Sequence, residues 1–461
     1  MKTLSGLTAG LCFALLLSCS QPSGGPLQDI GKWNTTGQVA YADGLLTLSG
    51  PDAGAVLKSG VYENFILSLE LRTTQKGKGA VWIHTDAGLT KGYRVAINND
   101  RDDLVWWKMS GSLEGVRNLT KSFVKEDEWF TLDIIVEGRA VTVNINGNPV
   151  VEYIEPAAPF RTADHASALL SGGKFAIVSE GNGSIEIKDI NVSVTNIREK
   201  GVSIEAQLAE ATDEQTDNII RLHQEDFPVL DYHVHLKGGL TNESAAAQSR
   251  KTGINYAIAP NCGIGFPITD DAGVINFLNE MRSEPFILAM QAEGREWVET
   301  FSQEVRDEFD YVFTDALTFT DSKGRRSRIW IPEEVWIEDE QQYMDLIVDR
   351  ICGVLEEPMD IYVNPCFLPP QMQDRYDEFW TEERMTKFVD ALAKSGKILE
   401  INARYEIPNK AIIQKAKDAG VKFSFGTNNA EAEVGLLEYC VRMKEECGIT
   451  AQDMYKPRIK I

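Results

Sequence analysis

Histidine is scarce in this sequence, five residues in 461, and cysteine is little commoner at seven. No two cysteines form a CxxC pair, which excludes a thiolate zinc centre. Basic residues are outnumbered: 46 Lys and Arg stand against 69 Asp and Glu, a formal net charge of -23. That balance repels polyanions and excludes a nucleic-acid or anionic-membrane partner. Apolar runs are short, none reaching the ~18 residues of a membrane span. What remains is a chain long enough for two or three domains and at least one large core.

Lys2 precedes a largely apolar stretch, 7–17, that closes in Leu16-Leu17-Ser18-Cys19. Too short for a mature membrane helix, it looks like a bacterial lipoprotein signal over 1–19, with Cys19 the residue lipidated after cleavage. The polar, Gly- and Pro-containing residues of 20–29 read as a tether. The expectation is an exported lipoprotein, periplasmic or anchored to the outer membrane, that meets the bilayer through its lipid alone. Among the remaining cysteines a Cys440–Cys447 bridge is open to an oxidising compartment, and buried free thiols are the simpler alternative.

From 30 to 195 the pattern has period two. Leu67-Ser68-Leu69-Glu70-Leu71-Arg72 and Val141-Thr142-Val143-Asn144-Ile145-Asn146 alternate apolar and polar residues, and Asn146-Gly147 supplies a hairpin turn. Many short strands with turns between them predict a β-sandwich of the jelly-roll kind. Residues 196–226 are polar and acidic and read as a linker or linking helix. From 227 to 461, apolar runs at 229–234, 256–259, 286–290, 311–313, 361–363, 398–401 and 423–425 alternate with amphipathic stretches at 242–251, 272–282, 340–355, 382–394 and 409–419. Seven strands separated by helices predict a parallel α/β barrel.

Two of the five histidines sit one residue apart, in Asp231-Tyr232-His233-Val234-His235. On a strand, i and i+2 point to one side, so both imidazoles can serve one metal ion. The other strand ends carry Asn261, Glu293, Asp315, Asn364, Glu400 with Asn402, and Asn428. Barrel chemistry belongs at those C-terminal ends.

Over 228–430 the chain resembles the PHP (polymerase and histidinol phosphatase) family of metal-dependent phosphoesterases. The resemblance rests on Asp231-x-His233-x-His235, on Glu293, on Leu399-Glu400-Ile401-Asn402 and on Gly426-Thr427-Asn428-Asn429-Ala430. It implies a seven-stranded barrel and a reduced site: one divalent ion, Zn, Mn or similar, on His233, His235, Glu293 and Asp315. Asn261, Asn364, Asn428 and Ala430 stand where the family has further ligands, so its trinuclear centre cannot be assembled. Glu400 or an unliganded Asp315 is expected as general acid or base, and Asn261, Asn364, Asn402 and Asn428 as contacts to a hydroxyl-rich ligand. Lys237, Arg295, Arg325, Arg326 and Arg404 are candidates for added charge near the pocket.

Residues 30–195 resemble the 3-keto-disaccharide hydrolase-like family, a concanavalin-like jelly roll. The resemblance is carried by Gly79-Ala80-Val81-Trp82-Ile83-His84, Gly92-Tyr93-Arg94-Val95-Ala96-Ile97-Asn98, Gly111-Ser112-Leu113-Glu114-Gly115-Val116-Arg117, Glu128-Trp129 and Ile185-Glu186-Ile187-Lys188-Asp189-Ile190. It implies a sugar-binding concave sheet on which Tyr93, Trp106 and Trp107 stack and His84, Arg94 and Arg117 reach oxygens. Trp82 and Trp129 suit the core better than Trp107 does.

Together these readings predict an exported glycoside-processing hydrolase or lyase, acting on glycosides of the 3-keto kind, with a divalent metal in the barrel. A metal-dependent phosphoesterase and a non-catalytic glycan-binding surface lipoprotein are the alternatives. A carbohydrate or glycoside is the expected partner.

Overall fold

The computed structural model describes residues 24–321 and 323–460. The signal reading of 1–19 and the lipidation of Cys19 lie outside the described residues. The later part of the expected tether is built into the sandwich: Gly25 and Pro26 pair with Val192 and Asn191, and the Leu27 carbonyl accepts the Trp33 indole N–H at 2.8 Å.

Ten longer strands make the N-terminal domain: β1 (Trp33–Ala42), β2 (Leu45–Leu57), β3 (Phe65–Thr73), β4 (Lys78–Thr85), β5 (Tyr93–Asn98), β6 (Phe130–Glu137), β7 (Ala140–Ile145), β8 (Asn148–Ile154), β9 (Lys174–Ser179) and β10 (Ser184–Val194). They form an antiparallel β-sandwich in the order β5-β4-β9-β2-β10-β3-β6-β7-β8, with β1 paired to β2. Alternation drives the packing. In β3 Phe65, Leu67, Leu69, Leu71 and Thr73 are buried while the residues between them are half-buried. Each buried leucine contributes ~1.5–3 kcal/mol. Asn146 and Gly147 both take positive φ, 50° and 78°, as the tight β7–β8 hairpin requires.

The linker is more closely packed than its polarity suggests. It holds α1 (Ile204–Glu210), capped by Ser203, and α2 (Asn218–Gln224), capped by Asp217. Between them Glu214 enters the sandwich and is only 2% exposed. Its carboxylate accepts from Arg161 at 2.7 Å, Tyr153 at 2.6 Å and the Phe160 amide at 2.9 Å.

The C-terminal domain is a seven-stranded, nearly closed parallel barrel: β11 (Leu230–Val234), β12 (Asn255–Ile258), β13 (Ile287–Ala292), β14 (Tyr311–Thr314), β15 (Ile361–Tyr362), β16 (Ile398–Asn402) and β17 (Phe423–Gly426) follow one another in chain order. Loops past the last strand reach the first, where the Asn428 amide donates to the His233 carbonyl at 2.8 Å. The five expected helices appear within one residue at each end: α3 (Asn242–Thr252), α4 (Asp271–Met281), α5 (Glu340–Val354), α6 (Glu382–Ser395) and α7 (Lys410–Asp418). In α6 the i, i+3, i+4, i+7 set Met385, Phe388, Val389 and Leu392 is buried, Thr381 caps the start and Gly396 ends it at φ 66°. A further helix, α8 (Glu438–Cys447), and a hairpin joining Thr318–Thr320 to Arg326–Arg328 were outside the expectation.

The two domains meet through the sandwich loop 99–124. Arg117 donates Nε to the Lys251 carbonyl at 3.0 Å, Thr120 and Asn118 exchange bonds with Asn255, and Lys121 donates Nζ to the Phe286 carbonyl at 2.5 Å. His223 of α2 lies in the same seam, with Nδ1 3.4 Å from the Asn118 amide and Nε2 3.0 Å from the Gly253 carbonyl. These partners lie at the N-terminal ends of the barrel strands, so the sandwich covers the base of the barrel and not the end that carries the polar strand termini.

Candidate functional site

Each barrel strand delivers a polar side chain at its C-terminal end. His233 and His235, two residues apart on β11 and just beyond it, have ring centroids 5.0 Å apart. Both are buried. His233 Nδ1 lies 2.6 Å from Glu400 Oε1 and Nε2 lies 3.3 Å from Gln291 Oε1, so both its nitrogens are engaged. His235 differs. Its Nδ1 donates to the Ala259 carbonyl at 2.7 Å, which leaves Nε2 as a bare acceptor, buried and without a partner. Burial, then the neighbouring His233, holds its pKa well below the usual imidazole range.

Glu293, after β13, and Asp315, after β14, are buried carboxyls that make no ion pair among the described residues. Asn261 donates to Glu293 at 2.7 Å and Asn364 to Asp315 at 2.9 Å. Burial raises both pKa values, and the Asp315 charge helps push Glu293 up to about 8. Glu400 accepts from the Asn364 amide at 2.7 Å and from Asn402 at 3.0 Å. Asn364 Oδ1 receives Asn402 at 3.1 Å and Asn428 at 2.7 Å. Asn364 and Asn428 take positive φ, 47° and 49°, conformations that asparagine tolerates better than most residues.

His233, Glu293, Asp315, Glu400 and the four asparagines are therefore brought together in one hydrogen-bonded network, called the ring below, and His235 lies next to it without bonding to it. They do not form the expected metal-ligand set. Among the described residues no group of three or more His, Cys, Asp or Glu side chains is arranged to hold a metal ion. The side chains engage one another instead: His233 with Glu400 and Gln291, Glu293 with Asn261, and Asp315 with Asn364. Of the two imidazoles only that of His235 keeps an unengaged nitrogen, Nε2, among the described residues. Of the charged candidates, Arg295 pairs with Glu357 and donates to the Asp315 carbonyl, and Arg325 pairs with Asp321. Arg326 is exposed on the hairpin, whereas Lys237 and Arg404 flank the mouth and are exposed. Beside the ring, Arg404, Asn428 and Leu436 line a cavity of about 420 Å³.

Gln291 escaped the sequence reading, whereas Asn429 and Asp231 stood in its motifs without a role. Gln291, which receives Asn261 at 2.9 Å, stands two before Glu293 and was signalled only by that spacing. Asn429 clamps His235, accepting from its amide at 2.7 Å and donating to its carbonyl at 2.9 Å. Asp231 is fully buried and accepts from the Thr427 amide at 2.9 Å, fixing the loop that carries Asn428.

The sandwich residues expected to bind sugar do not converge. His84 is 2% exposed, at φ 56°, with its ring between the Glu63 carbonyl and the Ser171 amide. Burial lowers its pKa to about 4, so it is a neutral clamp. Arg117 is buried in the domain seam, where with Tyr153 and Lys251 it lines a cavity of about 540 Å³. Trp107 is buried edge-on to Trp106, while Trp82 and Trp129 are half-buried beneath Arg94 and Lys188, the reverse of the expected order. Arg94 is held by Glu114 and Glu180. The cysteines Cys262, Cys352, Cys366, Cys440 and Cys447 are free, so no Cys440–Cys447 bridge forms.

No curated protein matches the chain. Among solved structures, two proteins from Parabacteroides distasonis assigned as glycosyl hydrolases are similar. One has 15% identity and a TM-score of 0.32 over 36% of this chain and 89% of its own, the other 19% and 0.30 over 35% and 94%. A carbohydrate binding module from Bacillus subtilis gives 13% identity and a TM-score of 0.28 over 35% of this chain and 95% of that one. Residues 26–193, the sandwich, match the family of 3-keto-alpha-glucoside-1,2-lyase-like domains.

Proposed function

We propose that the protein is a glycoside-processing enzyme, exported as a lipoprotein, whose acid–base chemistry takes place at the barrel end that carries the polar strand termini. The observation that carries this reading is His235 Nε2. It is an acceptor-only nitrogen, buried and unpartnered among the described residues, at the same C-terminal ends of the strands as two buried carboxyls that make no ion pair there. Leaving a buried polar atom unsatisfied costs ~1–3 kcal/mol, which a ligand hydrogen bond would recover.

A sugar carrying a ketone fits this arrangement. The ketone acidifies the adjacent C–H, His235 Nε2 accepts that proton, the C–O bond to the leaving group breaks, and Glu293 or Asp315 returns a proton to the departing oxygen. The ring amides, with Asn261 and Asn428 nearest the rim, offer donors to the enolate oxygen and to sugar hydroxyls. Glu400 is engaged by His233, Asn364 and Asn402 and acts by orienting the imidazole rather than by exchanging a proton with substrate. The family matched by the sandwich supports the choice of a 3-keto glycoside. A phosphoesterase of the kind the barrel resembles would call on a metal cluster, and among the described residues no group of three or more His, Cys, Asp or Glu side chains is arranged for one.

The test is release of aglycone from a 3-keto-glucoside by the full chain and by its His235→Ala variant. We expect a loss of about 10²–10⁴-fold in the variant. Undiminished release by His235→Ala would sink the assignment, and no release by the unmodified chain would favour a protein that only binds glycans.

A further inference from the structure

The base of the molecule carries a second cavity, of about 490 Å³, between the sandwich loop and residues 456–460. Arg101, Trp106 and Thr120 line it from the sandwich, and Lys456, Arg458 and Lys460 from the end of the barrel domain. Asp102 is the one carboxylate among the described residues of its wall. Four cations against one carboxylate is the reverse of the chain's own balance of 46 to 69. A fifth cation, Lys121, is buried close by and interacts electrostatically with Arg101.

Two atoms of the wall are incomplete. Among the described residues, Thr120, 1% exposed, has no hydrogen-bond partner for its Oγ1, and the buried Arg101 Nη2 equally lacks one. Lys456 Nζ spends one donor on the Asp103 carbonyl at 3.0 Å, and Arg458 spends part of its fork on Asp360 at 2.7 Å. Both keep further N–H groups. Trp106 is 4% exposed, yet it presents part of its surface to this space, with Met109 beside it. The volume is far larger than a bare oxyanion and falls in the range of small-molecule sites, ~300–1,000 Å³.

We propose that this cavity binds an anionic saccharide. Its carboxylate or phosphate is held by Arg101 and Lys460, its apolar ring face lies on Trp106, and a hydroxyl meets Thr120 Oγ1. The site is separate from the barrel mouth. Arg458 bonds Asp360 and the Lys460 amide bonds Asp310, residues that immediately precede β15 and β14, so the cavity sits at the opposite ends of the strands.

Isothermal titration calorimetry of the full chain with glucuronate, glucose 6-phosphate, glucose and inorganic phosphate tests the proposal. The acidic sugars are expected to bind at least tenfold more tightly than glucose or inorganic phosphate, and the stronger of the two identifies the oxyanion. Arg101→Ala is expected to weaken binding tenfold or more, Lys460→Ala and Thr120→Val several-fold, and His235→Ala not at all. If Arg101→Ala does not fold, Lys460→Ala carries the test, because its side chain is exposed. Three results would overturn the proposal: no binding of either acidic sugar, binding indifferent to the cation variants or lost in His235→Ala, or inorganic phosphate binding as tightly as the sugars.

Discussion

Arg117 of the sandwich and Lys251 of the barrel, 134 residues apart in sequence, are joined by a 3.0 Å bond from the guanidinium Nε to the carbonyl in the last turn of α3. A cation at a helix C-terminus meets its exposed carbonyls and the negative end of its dipole. The adjoining Gly253 ends the helix at φ 78°, and a Cβ there would come within 2.6 Å of Arg117 Cδ and 2.8 Å of His223 Nε2. Gly253→Ala is therefore strained twice, by its backbone and by the seam. We expect a loss of about 2–4 kcal/mol, read as a lower urea midpoint. A midpoint unchanged from the parent would mean that the seam yields freely.

The same seam makes stability depend on pH. His223 is buried, and desolvation, followed by the Arg117 charge, lowers its pKa from 6.5 to about 3. The folded state thus refuses a proton that the unfolded chain takes up below pH 6.5. Its contribution is fully present above that pH and is lost as pH falls towards 3, at up to ~1.4 kcal/mol per unit. Urea titrations at pH 7.5, 5.5 and 4.5 should show the decline, and His223→Gln should flatten it.

Glu214 ties the linker to the sandwich through a pair with Arg161 in which the side chains are 2% and 5% exposed. Removing one partner of such a pair leaves the other buried and uncompensated. Glu214→Ala should cost about 3–5 kcal/mol in thermal or chemical unfolding, and Glu214→Gln, which keeps the acceptor for Tyr153, should cost less. Equal losses in both variants would show that the charge is not the determinant.

Since the barrel carboxyls are tied to carboxamides, turnover of a 3-keto-glucoside should survive dialysis against chelator. The metal content of the protein, measured by plasma mass spectrometry, should not change in His233→Ala. Loss of turnover on chelation, restored by one divalent ion, would instead show that Glu293 and Asp315 swing away from Asn261 and Asn364 to make the set expected from the sequence.

The barrel and its polar ring were legible because strand alternation and barrel geometry are local rules. A residue at the C-terminal end of a parallel strand has one place to go, and Asn261, Glu293, Asp315, Asn364, Asn402 and Asn428 all went there. Which atoms remain free was not legible, since it depends on partners such as Gln291 and Ala259 on other strands. The sandwich misled for a related reason. Arg117 lies on a loop whose cover is supplied by a different domain, and nothing within residues 30–195 announces it. Glu214 is the converse: an acidic residue in an acidic stretch, distinguished only by the arginine and tyrosine it meets.

Docking by the 99–124 loop also sets an order of events. The sandwich is synthesised first, with Arg117 and Lys121 bearing groups whose partners, at Lys251 and Phe286, do not yet exist. At ~5–20 residues per second, 134 residues correspond to roughly 7–27 s of translation. For that interval a nascent sandwich holds a loop ready for a base that has not been made. The interval is open to a chaperone or to a second nascent copy, and a variant that weakens the loop's grip would reveal itself first as aggregation during synthesis.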